Sequence, residues 1–366
     1  MDNQGKTANV TRRVFLNHSV LATAGTIAAS GIGAASPQAP VAQSVVNLST
    51  EKVIQFSLVV KDAEKVAKRF SEVFGGSWRF YDMRPNQIVL HDKAMGDGSC
   101  YLKAAIGNAG GRSFKLIQPV SGQSSYAEFL QKNGEGFYTI GLGTLATHDQ
   151  IVPALKKAGI GVEMQGDWGN GSKFTILETV EDLGCRIEFS SPANKVSETN
   201  LRQTGVFAPT GTSIIDMDRP TFSGGRRFNQ VGIVLKDEKK ATKRFAELLG
   251  IREWRYSSGP PGLTDAFLNG KPVPESAMHS LDVDFGNGWL GDIQIELIKP
   301  LGIKPGGCHQ WFLDKHGNGI QHVSFGLQED YDTLVDAMKK AGISSEFSAS
   351  LVRAGGTGDV SATYFA

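Results

Sequence analysis

The sequence predicts an α+β protein built from two similar modules in tandem, and three observations carry that prediction. The first is a long internal match. "IQFSLVVKDAEKVAKRFSEVFG" from Ile54 and "NQVGIVLKDEKKATKRFAELLG" from Asn229 align at a shift of 175 residues, placing Gln55 on Gln230 and Gly75 on Gly250. The second is a further match at a shift of 183, between "FLQKNGEGFYTIGLG" from Phe129 and "FLDKHGNGIQHVSFG" from Phe312. The third is a repeated change of period. In each piece an apolar strand pattern gives way to an amphipathic helix, so each half reads as strand, helix and several strands, twice over.

Local chemistry sets the elements in order. Residues 1–39 read as an export leader lying outside the fold. Arg12 and Arg13 precede Phe15 and Leu16, and the modestly apolar "SVLATAGTIAASGIGAAS" ends in small residues, which places cleavage near Ala35 to Ala39. The run falls short of the ~20 strongly apolar residues of a membrane span. The expectation is therefore a twin-arginine signal, a periplasmic or extracellular protein, and no stable membrane insertion after cleavage.

The first module, 53–192, opens with an apolar strand, then Asp62 as helix N-cap and a helix of about a dozen residues that Gly75 stops. "KLIQPV" from Lys115, "FYTIGLG" and the helix "QIVPALKKAGI" follow. "FTILETVEDLGCRIEF" closes the module, with Glu188 in its last strand. Residues 193–226 are polar and rich in turn formers and read as a linker. The second module, 227–366, repeats the plan with "ELIKPL" from Glu296. It ends at "SATYFA", about ten residues before a counterpart of Glu188. A missing last strand would leave an unpaired sheet edge, so the expectation is a truncated sequence.

A formal net charge of +1 over 366 residues, with no basic tract, leaves no footprint for nucleic acid or an anionic membrane. A small-molecule ligand is the default, with homo-oligomerisation left open. Cys100, Cys185 and Cys308 lack Cys-x-x-Cys spacing. Two could pair in an oxidising compartment, but an odd count makes no disulfide framework.

His322, in "GNGIQHVSFG", is the residue that asks for a function. Strand alternation puts Ile320, His322 and Ser324 on one face and Gln321, Val323 and Phe325 on the other. Taken alone, a strand histidine reads as a core imidazole. Glu296 is more telling, because a carboxylate in an apolar strand needs a partner. The other reading of "IQIELI" is that Gln294 and Glu296 alternate outward to solvent.

The repeats, with "IELIKPLG…FLDKHGNGIQHVSF", resemble the vicinal oxygen chelate superfamily of glyoxalases, bleomycin-resistance proteins and dioxygenases, and most of all its methylmalonyl-CoA epimerase and glyoxalase branches. The resemblance implies two tandem modules, each a pair of βαβββ units forming a half-open mixed-sheet cup. In that family four strand positions aim ligands at one metal. Carried over residue by residue, they are Gln230, Glu296, His322 and a fourth that the sequence does not supply, with Glu296 also the candidate catalytic carboxylate. An amide oxygen, a carboxylate and an imidazole suit a divalent ion such as zinc, nickel, cobalt, manganese or iron. The first module offers Gln55, Lys115, Thr139 and Glu188 instead, which implies no metal there, since lysine puts a cation where a cation should sit. His279 matches Cys100 and is expected to line the cup, His309 to lie in a loop or strand end, and His316 at the surface.

The implied activity is that of an exported, metal-dependent lyase or isomerase acting next to a carbonyl of a small molecule. The alternative is a non-catalytic protein that binds a carbonyl or aromatic ligand. An extradiol dioxygenase needs two histidines and a carboxylate for ferrous iron, and Gln230 occupies the first histidine position. Acyl-CoA and glutathione adducts are cytoplasmic, so an exported protein needs another substrate.

Overall fold

A computed structural model describes residues 14–17, 44–48, 51–96, 98–168, 171–192, 201–219, 226–258, 263–303, 306–325, 330–352 and 359–365. A short strand, β1 (Val14–Asn17), comes first. The first module then runs β2 (Gln55–Val59), α1 (Ala63–Phe74), β3 (Trp78–Met83), the hairpin β4 (Asn86–Leu90) and β5 (Lys93–Ala94), β6 (Cys100–Ala109) and β7 (Arg112–Gly122). After α2 (Ser125–Asn133) come β8 (Gly136–Thr144), α3 (His148–Lys157), β9 (Gly161–Asp167), β10 (Lys173–Glu178), α4 (Val180–Leu183) and β11 (Arg186–Ser190). Within the linker, β12 (Leu201–Phe207) pairs with β3 and covers that edge.

The second module runs β13 (Gln230–Val234), α5 (Glu238–Leu249), β14 (Arg255–Ser258), β15 (Leu263–Leu268), β16 (Lys271–Pro272), a 3-10 helix (Glu275–Leu281), β17 (Val283–Leu290) and β18 (Ile293–Pro300). It continues through α6 (Cys308–His316), β19 (Gly319–Phe325), α7 (Tyr331–Lys340), β20 (Ser345–Val352) and β21 (Asp359–Phe365).

The two sheets share one plan. In the first, the order β3-β6-β7-β2 meets β8-β11-β10-β9, and the β4–β5 hairpin crosses over to pair with β9, which curls the sheet into a cup. In the second, β14-β17-β18-β13 meets β19-β1-β21-β20, and β15 pairs with β20 in the same way. The fold is therefore α+β, two curled mixed sheets with helices against them.

Val14–Asn17 lies inside the segment read as an export leader, yet it forms a strand parallel to β19 and antiparallel to β21. That is the place β11 takes beside β8 and β10 in the first sheet. The sheet edge foreseen as unpaired is thus filled in this structure by a strand from the other end of the chain.

The capping chemistry behaves as the sequence implied. The Asp62 and Asp237 carboxylates accept hydrogen bonds from the backbone N–H groups of Lys65 and Lys240, at 2.9 Å each, satisfying donors that each helix leaves open. Gly75 and Gly250 end the helices at φ 73° and 79°, a region costly for other residues. Helices α1, α3, α5 and α7 pack over one apolar core that spans both modules. Phe70, Phe114 and Phe245 are at its centre, and Phe228 is wedged between Phe74 and Phe114.

Buried Arg112 ties the modules together. Its Nε donates to the Phe228 carbonyl at 2.9 Å and its Nη1 to the Val53 carbonyl at 2.6 Å, and it pairs with Asp292 at 3.0 Å. All three cysteines are buried and none is in a disulfide. Burial pushes the Cys100 thiol up to about 11 and the Cys185 thiol up to about 12, which makes both unreactive at neutral pH. No helix among the described residues is long and apolar enough to cross a membrane.

Candidate functional site in the second cup

The concave faces of the two cups place equivalent positions in equivalent registers but fill them with opposite chemistry. In the first cup, Ser57 on β2 stands opposite Lys115 on β7 and Thr139 on β8. Lys115 Nζ contacts Glu188 Oε1 directly, and Glu188 Oε2 accepts from Thr139 at 2.8 Å and Ser57 at 3.1 Å. Both members of the ion pair are about 6% exposed. The lysine thus supplies a covalently attached cation with its carboxylate fully satisfied. The rest of this cup is packed solid by Met83, Leu102, Ile117, Met164, Phe174 and Ile176, with Tyr126 and Tyr138 above them. Burial holds the Tyr138 hydroxyl well above the usual phenol range.

In the second cup, Gly232 on β13 stands opposite both Glu296 on β18 and His322 on β19. The three sequence-implied residues share this face. The side chains of Glu296 and His322 converge: His322 Nε2 lies 3.6 Å from Glu296 Oε2, with His322 fully buried and Glu296 14% exposed. Glu296 therefore turns into the cup rather than outward to solvent. Gln230 stands one step further along β13. Its Oε1 accepts from Ser324 at 2.6 Å and its Nε2 donates to Gln294 Oε1 at 2.9 Å. The amide oxygen is present on the correct face but engaged.

Gly232 is required by this arrangement. A Cβ there would come within 2.0 Å of the His322 ring, so the imidazole lies directly over the glycine backbone to reach Glu296. The first module has Ser57 at this place and no imidazole to accommodate.

Strict alternation fails at Gln321. The β13–β19 register steps from Gly232 opposite His322 to Ile233 opposite Ile320, leaving Gln321 as an extra bulged residue. The first module bulges at Tyr138 in the same register. A bulge re-aims a side chain, and Gln321 joins His322 on its own side. Its Oε1 accepts from His322 Nδ1 at 3.1 Å and from His309 Nδ1 at 2.8 Å. An amide oxygen only accepts, so both Nδ1 atoms carry protons, and His322 turns its Nε2 toward Glu296. Tyr364 packs edge-on against the His322 ring at 5.0 Å, and its hydroxyl donates to His309 Nε2 at 3.4 Å.

Gln321, His309, Gly232 and Tyr364 are the supporting residues that sequence reasoning missed. His309 sits in the first turn of α6 and is buried, not in a loop or strand end. The available signal was its alignment with buried Tyr126 at the shift of 183. His279 does not line the cup: it is on the 3-10 helix with an 88% exposed side chain, 3.4 Å from Asp282. The fourth ligand position is also accounted for. Glu188 pairs with Gly141, whereas Phe15 pairs with Ser324, the counterpart of Gly141 at the shift of 183. Among the described residues no group of three or more His, Cys, Asp or Glu converges on one point.

The donor chemistry fits a cation. An imidazole lone pair and a carboxylate oxygen 3.6 Å apart, in a buried setting, repel unless a proton or a metal ion lies between them. Among the described residues Glu296 and His322 are the two direct donors, and Gln230, whose Oε1 keeps a second lone pair beside its bond from Ser324, is a third.

Comparison with known proteins agrees on the fold. Residues 229–364 match the family described as the Glyoxalase/Bleomycin resistance protein/Dioxygenase superfamily. A triple mutant of 4-hydroxymandelate synthase from Streptomyces coelicolor superposes with a TM-score of 0.53 at 14% identity, covering 81% of this chain and 76% of that one. Methylmalonyl-CoA epimerase from Mycobacterium tuberculosis aligns over 40% of this chain and 91% of its own, at 18% identity and a TM-score of 0.30. Comparison with curated protein sequences gives no match. Residues 229–364 thus match the Glyoxalase/Bleomycin resistance protein/Dioxygenase superfamily, and the fold of curled mixed sheets is shared with the hydroxymandelate synthase structure over 81% of this chain.

Proposed function

We propose that the second cup binds a divalent metal ion through Glu296 and His322, with Gln230 as the third donor, and that the protein is a lyase or isomerase acting next to a carbonyl of a small molecule. The observation that carries this reading is the facing pair itself. His322 is oriented by its Nδ1–H bond to Gln321, and its Nε2 is aimed at a carboxylate. Bound there, the ion supplies positive charge for the negative charge that develops on a substrate oxygen. The chain's own part is to fix geometry and move a proton. Gln321 sets the imidazole's orientation, as outer-shell partners of metal-binding histidines do. Glu296, at the exposed side of the pair, is the group placed to take a proton from the carbon beside the carbonyl. Metal content of the dialysed full-length chain tests the reading, and fewer than one divalent ion for every few chains would refute it.

A second reading is a non-catalytic binder of a carbonyl or aromatic molecule. The engagement of Gln230 by Ser324 and Gln294 favours it, since those bonds hold the amide in place with no metal ion needed to do so.

We also propose export by the twin-arginine route, from Arg12 and Arg13 ahead of a weakly apolar run. Changing both to lysine is expected to retain the protein in the cytoplasm. Undiminished exported protein from that variant would exclude the route.

A further inference from the structure

We infer that the open end of the second cup holds a substrate carboxylate on Arg255 and a planar ring against Trp289, so that the substrate is an aromatic carbonyl acid. This rests on the reading that Glu296 and His322 hold the carbonyl end. Packing fixes which way the side chains face. The Trp254 ring lies 5.3 Å from that of Phe245 on α5, and the Tyr256 hydroxyl is hydrogen-bonded with Thr242 of the same helix at 2.7 Å. Alternation turns Arg255, between them, to the opposite, concave face. On β17, a Cβ at Gly288 would come within 2.8 Å of the Trp254 ring, and one at Gly286 would meet Thr242 and Tyr256. Asn287 and Trp289 alternate with these glycines and therefore face the cup.

The strand registers align these residues with the candidate metal pair. Gly232, Glu296, Asn287 and Arg255 stand directly opposite one another across β13, β18, β17 and β14, and the His322 ring lies over Gly232. Trp289 stands beside this row, opposite Gln294. Arg255 is two strands from Glu296, roughly 10 Å from backbone to backbone. Two residues before Asn287, Phe285 packs with Phe312 and Leu313 of α6, which closes that end of the face. Asn287 and Trp289 lie at the other end, and Trp289 is 54% exposed.

Arg255 is exposed and, among the described residues, has no hydrogen bond or ion pair. Among the described strands β14 is also the last of its sheet, so this side of the row is open. The first module lacks every part of this arrangement except the arginine. There Lys115 stands opposite Ile106 and Ile106 opposite Arg79, Asn108 takes the place of Trp289, and β12 covers the edge with Val206 opposite Arg79. A guanidinium without a partner matches a carboxylate, to which it can donate two parallel hydrogen bonds. The indole beside the path from Glu296 to Arg255 offers a flat apolar wall to a ring. A ligand with a carbonyl and a carboxylate at opposite ends of one ring meets all three groups at once.

The probe is 4-acetylbenzoate, with 4-acetylbenzamide as its neutral isostere. Titration calorimetry on the full chain is expected to give saturable binding of the acid and at least about tenfold weaker binding of the amide, as loss of a charged hydrogen bond implies. Arg255→Gln should weaken the acid about tenfold and leave the amide unchanged, Trp289→Ala should weaken both alike, and Arg79→Gln in the first module should change neither. No saturable binding of the acid, equal binding of acid and amide, or an Arg255→Gln effect no larger than that of Arg79→Gln would each overturn the inference. The preference for acid over amide needs no metal and should persist after treatment with a chelator. A protein without metal that keeps the preference would therefore refute only the metal reading, and a metal-bearing protein without it would refute only this inference.

Discussion

A His322→Ala protein is expected to lose stoichiometric divalent metal, while Thr139→Ala, at the matching place in the first module, retains the wild-type content. The asymmetry follows from what each side chain faces. His322 offers one of two direct donors, and the other, Glu296, cannot hold a divalent ion alone against water. Thr139 donates to a carboxylate whose charge Lys115 already neutralises. Removing an outer-shell partner typically weakens a metal site about 10–100-fold, so loss of a direct ligand should exceed that. Gln321→Leu gives the graded case. It leaves His322 in place but frees its tautomer, and should weaken metal by about 10–100-fold. Competition against a chromophoric chelator measures all three variants. Metal retained in His322→Ala, or equal losses in His322→Ala and Thr139→Ala, would sink the metal reading and leave the binder.

The legibility of this protein divides along the physics. The α+β plan was readable because it rests on short-range signals: Asp62 and Asp237 cap, Gly75 and Gly250 terminate, and the apolar period changes between them. Glu296 and His322 were readable because a charge in an apolar strand and a histidine in a repeated Gly-x-Gly strand are conspicuous one residue at a time. Gln321 was not. Its placement depends on a bulge, and strand alternation puts it on the wrong face. Gly232 was invisible for a related reason, since the need for glycine arises only when an imidazole from another strand lies over it. The pairing of Val14–Asn17 between β19 and β21 is also non-local, joining chain segments more than 300 residues apart. No local pattern in "VFLN" foretells its partner.

The first cup gives the largest stability effect. Lys115→Met is expected to destabilise the protein by about 3–5 kcal/mol, the usual cost of breaking a buried ion pair from one side. Glu188 would remain with only the Thr139 and Ser57 hydroxyls, which can donate hydrogen bonds but bring no compensating charge. The nearby apolar packing leaves little room for water to do so instead. The double change Lys115→Met with Glu188→Leu removes both charges and should recover most of the loss, because a buried pair is often no more stable than an apolar replacement of similar volume. The two hydroxyls would then need each other or backbone acceptors, so recovery should be incomplete. Urea unfolding of the four members of this cycle measures the coupling directly. A loss below about 1 kcal/mol in Lys115→Met would mean that the carboxylate finds another partner, and that the ammonium is not what holds the first cup closed.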